Sequence, residues 1–142
     1  MAENKKSKHP ERKAADVKNL GSLVLAYMGD AVYEQFIRER VIRSGRFVRA
    51  DVLHRAGVFY VNAEAQAETI KTMLEELDEE ERGVVRRARN HRSATKPKNV
   101  DPISYKWATA FEALLGYLYL LGREKRLSEL MERAAELVEA SE

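Results

Sequence analysis

Two acidic residues lie on helical faces that otherwise carry apolar side chains, and they are the residues of this sequence best suited to chemistry. Glu112 is the only charged residue in the stretch from 107 to 122. On a cycle of 3.6 residues its neighbours are apolar, aromatic or small, and none of them can neutralise its charge. A carboxylate buried in such surroundings must be protonated, paired with a base or bound to a metal ion.

Asp30 raises the same question in an earlier helix, where its face is also largely apolar. Gly29, directly before it, costs a helix about 1 kcal/mol relative to alanine, which indicates that a second backbone or a ligand must come close. Two buried-looking acids in a chain with a basic segment predict oxygen ligands for Mg²⁺ beside a phosphate. Pairing of each acid with an arginine is the alternative.

The basic residues are concentrated in one segment. Residues 82–99 hold seven bases and no acid, and six of the seven positions from 75 to 81 are acidic, although the whole chain has a net charge of only +2. Such a basic zone favours a nucleic acid as the partner, with a solvated helix face and a disordered loop as the alternative. The candidate contacts are Arg86, Arg87, Arg89, Arg92, Lys96 and Lys98.

The composition excludes several classes of protein. A chain of 142 residues, of which 44% are hydrophobic, has the size of one globular domain and needs no disulfide or structural metal to fold. It has no cysteine, which excludes disulfides, cysteine-ligated zinc and thiol catalysis. Its first residues are basic and polar, so we expect neither a signal peptide nor a membrane span, and we expect a cytoplasmic protein.

Apolar residues recur at helical spacing throughout, so the predicted fold class is all-α. Residues 1–15 are expected to form a disordered basic tail and residues 16–140 the folded domain. The predicted helices cover about 20–44, 50–74, 79–88, 102–121 and 127–138. Caps are expected at Asn19 and Asp78, Pro102 in a first turn, and a loop over residues 90–99.

Two motifs resemble those of a known family. The run LAYMGDAVYE, at positions 25–34, resembles the signature of the ribonuclease III family. The run TAFEALLGYLYL, at positions 109–120, resembles the second carboxylate motif of that family. The short helical chain, without a double-stranded-RNA-binding domain, is most similar to the Mini-ribonuclease III branch. The basic segment also ends in Pro97-Lys98-Asn99, and proteins of that branch have a basic segment with the same ending. The resemblance covers about residues 16–140.

The resemblance implies the helical fold of the ribonuclease III endonuclease domain, in a symmetric homodimer that binds RNA across a cleft. The implied activity is Mg²⁺-dependent cleavage of double-stranded RNA that leaves 5′-phosphates. Asp30 matches the signature aspartate and Glu112 the essential glutamate, as catalytic residues and metal ligands. The implied dimer interface contains Tyr27, Met28 and Ala31.

The resemblance also implies a cellular role and partners. The branch matures the ends of the 23S ribosomal RNA precursor during biogenesis of the large subunit. The implied partners are therefore double-stranded RNA, a second copy of the chain, and the pre-50S subunit or a ribosomal protein.

The chain departs from full-length ribonuclease III at three positions, where Leu23, Ala26 and Thr109 replace carboxylates. The Mini branch shares these losses. With two carboxylates per site, we expect weak metal binding in which water and the scissile phosphate supply most of the coordination.

Two other functions stay open on the sequence alone. The first is a non-catalytic module for double-stranded-RNA binding or ribosome assembly, although such a module has no reason to keep both acids. The second is a helical protein-interaction domain without affinity for nucleic acid. His54 is interpreted as a hydrogen-bonded core histidine outside the site. The arginines of residues 38–49 are a second candidate surface for RNA, but a solvated helix end is the preferred interpretation.

Overall fold

The computed structural model describes residues 14–46, 48–92 and 98–141 of the chain. These residues form seven α-helices and one 3₁₀ turn (Leu74–Glu76), and they contain no strand, which confirms the predicted all-α class. The helices are α1 (Ala14–Lys18), α2 (Ser22–Arg43), α3 (Ala50–Val61), α4 (Ala63–Met73), α5 (Glu79–Arg89), α6 (Pro102–Leu120) and α7 (Glu124–Ala140).

Helix α6 forms the centre of the structure, and α2, α4, α5 and α7 pack around it. Its residues from 108 to 118 are buried, apart from the half-buried Glu112. Because a helix with neighbours on several sides is apolar on several sides, this long run belongs to a core helix. Within the described ranges, no helix has both the length and the apolar character needed to cross a bilayer.

Three boundaries differ from the prediction. Helix α2 begins at Ser22 with Gly21 at its N-cap, so the expected cap at Asn19 is wrong. Helix α1 begins two residues inside the segment expected to be a tail, while residues 1–13 lie outside the described ranges. The helix predicted over 50–74 is two helices that meet at Asn62.

Asn62 divides the predicted helix because its side chain forms hydrogen bonds with backbone groups that would otherwise bond within a continuous helix. Its Oδ1 accepts a hydrogen bond from the backbone N–H of Ala65 at 2.9 Å, which caps α4. Its Nδ2 donates to the carbonyl of Val58 at 3.0 Å, which ends α3. Asparagine offers the chain this alternative to a continuous helix, although the apolar pattern continues through it.

The acidic run at 75–81 binds α7 through arginines. Glu81 is 1% exposed, and Arg126 donates two hydrogen bonds to its carboxylate, at 2.8 and 2.9 Å. Burial acts to raise the pKa of Glu81, but the hydrogen bonds from Arg126 and from the backbone of Asp78 hold it below its ordinary value. Two further pairs of this kind are Glu80 with Arg123 and Glu76 with Arg133. Three of the six acids in the run therefore form ion pairs with arginines within α7 or directly before it.

Candidate active site and nucleic-acid interface

Helices α2 and α6 touch backbone to backbone beside both predicted catalytic residues. A Cβ atom added to Gly29 would lie 1.7 Å from the carbonyl oxygen of Glu112, and one added to Gly116 would lie 1.9 Å from that of Leu25. Real Cβ atoms essentially never come within 3.0 Å of another heavy atom in this way, so only glycine fits at either position. The expectation of a close approach at Gly29 is therefore confirmed, and its partner is a second backbone.

This crossing brings the side chains of Asp30 and Glu112 together. Burial raises the pKa of Glu112 to about 8, and the charge of Asp30 and a hydrogen bond between the two carboxyl groups add to the effect. The negative charge of Asp30 disfavours the ionised form of Glu112, since like charges repel. Glu112 is therefore the acid of this carboxyl pair, Asp30 and Glu112, that keeps its proton near neutral pH in the metal-free protein.

Neither acid of this pair is neutralised by a base. Among the described residues, no lysine, arginine or histidine forms an ion pair with Asp30 or Glu112. The alternative in which each acid pairs with an arginine therefore fails for the described part of the chain. It holds instead for Glu81, the buried acid of α5, whose partner is Arg126.

Asp30 is exposed, whereas the sequence predicts that it is buried. Helix α2 is apolar on more than one face, but only the face that contains Leu25, Gly29 and Tyr33 packs against the core. Other apolar residues of α2 lie on the surface, and Tyr27 is 81% exposed. Asp30 therefore borders solvent, while Glu112 lies behind it in the fold.

Gln66 of α4 belongs to the site, although the sequence pattern does not single it out. Its side chain is 2% exposed, and its amide acts to lower the pKa of the carboxyl group of Glu112. The available signal is the one that identified Glu112. Gln66 is a polar residue on the buried face that includes Ile70 and Met73 of the same helix.

The donor set at this site suits a divalent cation that has few protein ligands. Asp30 and Glu112 supply carboxylate oxygens, which are the donors that Mg²⁺ prefers. A cation can take the place of the proton on Glu112. Glu34 adds its charge to the field at Glu112, but it pairs with Arg38 at 3.3 Å. Across residues 14–46, 48–92 and 98–141, no group of three or more acids, histidines or cysteines is arranged to hold a metal ion.

Five of the six candidate RNA contacts lie within the described residues, and Lys96 lies outside them. Arg89 differs from the others because it is half-buried, with its guanidinium 5.0 Å from the centre of the Trp107 ring. The exposed ones, which form no ion pair in the described part of the chain, are Arg86, Arg87, Arg92 and Lys98. The described residues at the C-terminal end of α5 and shortly after it therefore carry positive charges that form no ion pair with a described acid.

The arginines near the end of α2 behave differently. Arg40 donates to Glu139 of α7 at 2.7 Å, and Arg43 pairs with Glu39 at 2.7 Å. These intramolecular pairs agree with the interpretation of a solvated helix end. His54 is exposed on α3, so its interpretation as a core histidine is wrong, because α3 packs through another face.

The chain is similar in sequence to proteins of one known family. Residues 23–123 match the family model described as Ribonuclease III domain. The chain is 48% identical over 120 residues to the Mini-ribonuclease 3 of Symbiobacterium thermophilum, and the match covers 84% of this chain and 92% of that protein. It is 46% identical to the Mini-ribonuclease 3 of a Thermoanaerobacter species, over 87% of this chain and 86% of that one.

A solved structure supports the same relationship at the level of the fold. The crystal structure of a protein from Fusobacterium nucleatum matches this chain with a TM-score of 0.76 and 30% sequence identity. The match covers 85% of this chain and 96% of that one.

Proposed function

Because this chain belongs to the ribonuclease III family and to its Mini-ribonuclease 3 branch, we propose that Asp30 and Glu112 are the catalytic carboxylates with which it cleaves double-stranded RNA. The observation that carries this proposal is the carboxyl pair at the crossing of α2 and α6. The backbones touch at Gly29 and Glu112, and the charge of Asp30 acts on the carboxyl group of Glu112, although the two motifs are far apart in the sequence. No base neutralises either of them in the described part of the chain. A purely structural role for the pair would leave this repulsion uncompensated.

The proposed metal is Mg²⁺, held by Asp30 and Glu112. Bound there, Mg²⁺ would supply Lewis-acid stabilisation of charge on the scissile phosphate and activation of water for hydrolysis. The proposed products carry 5′-phosphates. Glu112 must give up its proton before it can act as a ligand, and the amide of Gln66 acts in favour of its charged form. Asp30 is the carboxylate nearer to solvent and therefore the one that an approaching RNA strand meets first.

We propose that the end of α5 and the segment after it bind the phosphates of the duplex. Arg86 and Arg87 are exposed and form no ion pair within the described ranges, while Arg89 is held against Trp107. Lys96, which lies outside the described residues, stays a prediction. Duplex RNA is recognised mainly by shape, phosphates and 2′-hydroxyl groups, which suits arginines on such a surface.

Replacing both Arg86 and Arg87 by alanine is expected to weaken RNA binding and to reduce its dependence on salt. Removal of one phosphate contact lowers the slope of log affinity against log salt by about 1. Binding to an RNA duplex would be measured at several salt concentrations in the Asp30→Asn background without metal. The matched control is Arg43→Ala, because Arg43 is already paired with Glu39. A double variant with the wild-type slope would exclude this surface.

We further propose that the chain forms a symmetric homodimer through the exposed side of α2. Tyr27 is 81% exposed and Val24 52% exposed there, and Ala31 and Met28 lie beside them. Exposed apolar residues in one patch are typical of a protein interface. We expect Tyr27→Asp to halve the molar mass in solution, measured by light scattering. The control is Val48→Asp, at an exposed apolar residue outside α2, which should leave the molar mass unchanged.

The proposed cellular role is maturation of the ends of the 23S ribosomal RNA precursor in the cytoplasm, on the pre-50S subunit or with the help of a ribosomal protein. This role would be tested with a transcript that contains the paired ends of 23S RNA. Cleavage at two fixed positions within the stem supports the role, and random cleavage along the stem contradicts it.

The catalytic proposal is tested with a long RNA duplex, with and without Mg²⁺. We expect cleavage by the wild type only with the metal, and a loss of roughly 100-fold or more in Asp30→Asn. Because Asp30 is exposed and its charge opposes that of Glu112, this variant should melt at or above the wild-type temperature. The control is Asp51→Asn, an exposed aspartate of α3. Cleavage by Asp30→Asn at the wild-type rate would refute the site, and a gel shift without cleavage by the wild type would indicate a non-catalytic binder.

A further inference from the structure

Arg89 and Trp107 form a contact between a cation and an aromatic ring at the end of α5. The guanidinium carbon of Arg89 lies over the indole ring, 5.0 Å from its centre. Both side chains are half-buried, and Trp107 packs against the hydrophobic core. Within the described ranges, no acid forms an ion pair with Arg89. Its charge is therefore held by the ring and is not neutralised by a described acid.

A similar contact elsewhere in the fold shows what is different about Arg89. Arg123 lies over the ring of Tyr117, 6.0 Å from its centre, and it also donates a hydrogen bond to Glu80 at 2.9 Å. The dipole of α5 favours a base in its last turn, but that effect requires no aromatic partner. Arg89 therefore has a ring to hold it and, among the described residues, no carboxylate to take up its N–H donors.

The pair lies close to the proposed catalytic residues. Helix α5 packs on α6, and a small cavity beside the pair is lined by Ala88, Lys106 and Thr109, among others. Thr109 lies about one helical turn before Glu112, and Trp107 lies about 7.5 Å before it along the axis of α6. A strand with its scissile phosphate at the carboxyl pair therefore carries other phosphates within a few nucleotides of the guanidinium.

We propose that Trp107 is a positioning residue, which holds Arg89 as a preorganised contact for a backbone phosphate of RNA beside the cleavage site. This inference rests on the proposed RNA surface at the end of α5. A guanidinium interacts with a ring through its face, while the N–H donors at its edge form two parallel hydrogen bonds to a phosphate. Ordering an arginine loses conformational entropy, and the ring brings about part of this loss before RNA binds. Arg86 and Arg87 are exposed and lose that freedom only on binding.

The test is a double-mutant cycle on binding to an RNA duplex, measured at several salt concentrations in the Asp30→Asn background without metal. We expect Arg89→Met to weaken binding about 10-fold or more and to lower the slope of log affinity against log salt by about 1. Trp107→Leu should weaken binding about 10-fold with little change of slope, because the charge remains but is no longer ordered. In the Arg89→Met background, Trp107→Leu should have no further effect, since the ring then has no cation to hold.

Fluorescence gives a second readout, because Trp107 is the single tryptophan of the chain. Duplex binding by the Asp30→Asn protein should change the tryptophan emission, since a phosphate at Arg89 alters the charge beside the ring. In the Arg89→Met variant the duplex should change the emission less. If the bound duplex leaves the emission of the Asp30→Asn protein unchanged, no phosphate binds at Arg89 and the inference is overturned.

The matched control is Arg43→Met, which should bind the duplex with unchanged affinity because Arg43 is already paired with Glu39. If Trp107→Leu does not fold, Trp107→Phe decides, because it keeps a ring that attracts a cation less strongly, and it should weaken binding about 3-fold. Equal effects of the Trp107 substitution with and without Arg89 would overturn the inference, since Trp107 would then act through the fold alone. If the Asp30→Asn protein itself does not bind the duplex, the proposed RNA surface fails, and this inference with it.

Discussion

Replacing Glu112 by glutamine is expected to abolish cleavage while making the metal-free protein more stable at alkaline pH. Glutamine keeps the shape of the side chain and its hydrogen-bonding capacity, but it cannot ionise. The loss of cleavage should be roughly 100-fold or more, because one of two carboxylates in the site disappears. The gain in stability follows from the pKa of Glu112, which burial and the charge of Asp30 raise to about 8.

The sign of the effect is fixed by proton binding. A glutamate in the unfolded chain has a pKa near 4.5, so between that pH and about 8 the folded protein holds a proton that the unfolded protein has lost. The free energy of unfolding of the wild type therefore falls as pH rises across this range, by a few kcal/mol in total. Glu112→Gln lacks this fall, so the two proteins should be similar at pH 5 and differ most near pH 8.5.

Chemical unfolding in EDTA at a series of pH values measures this difference. Mg²⁺ should recover part of the lost stability in the wild type and none in the variant, since binding to the folded state stabilises it. The control is Glu68→Gln, an exposed glutamate of α4, which should change neither stability nor cleavage. The prediction is contradicted if the free energy of unfolding depends on pH in the same way for the wild type and for Glu112→Gln. Glu112 would then have the same pKa in the folded and the unfolded chain.

Replacing Gly29 by alanine is expected to destabilise the protein by about 3 kcal/mol or more and to abolish cleavage. The added methyl group would overlap the backbone of Glu112, which cannot move aside as a flexible side chain could. Helices α2 and α6 would have to separate, and overpacking of this kind is among the few large effects of a single substitution. A separation of about 1 Å between the carboxylates is enough to cost about 100-fold in rate.

The matched control is Gly57→Ala, because Gly57 is also in a helix and an added Cβ atom would meet nothing within 4 Å. That substitution should be neutral or stabilising by up to about 1 kcal/mol, since alanine is the better helix former. Thermal unfolding and duplex cleavage of both variants give the comparison. If Gly29→Ala were as stable and as active as Gly57→Ala, the backbone contact between α2 and α6 would not position the site.

The fold class, most helix boundaries and both carboxylates follow from the sequence because they depend on local pattern. Apolar residues at a spacing of 3.6 predict helices whatever they pack against, and Asp78 and Pro102 mark helix starts by local chemistry. Glu112 is visible because a charge on an apolar face is unusual wherever it occurs. Asn62 is the exception among the boundaries, since its cap competes with a continuous apolar pattern and only the folded chain shows which prevails.

Tertiary structure alone decides which face of each helix is covered and which residues meet. The apolar pattern of α2 does not distinguish the face against α6 from the exposed face around Tyr27, so the burial of Asp30 is predicted wrongly. The partner of Glu112 on α4 and the arginine that neutralises Glu81 both come from distant parts of the chain. Local sequence determines which side chains exist on a helix and at what spacing. Their pKa values and contacts depend on packing between helices, because burial and electrostatic interactions are set by proximity in the fold and not by separation along the sequence.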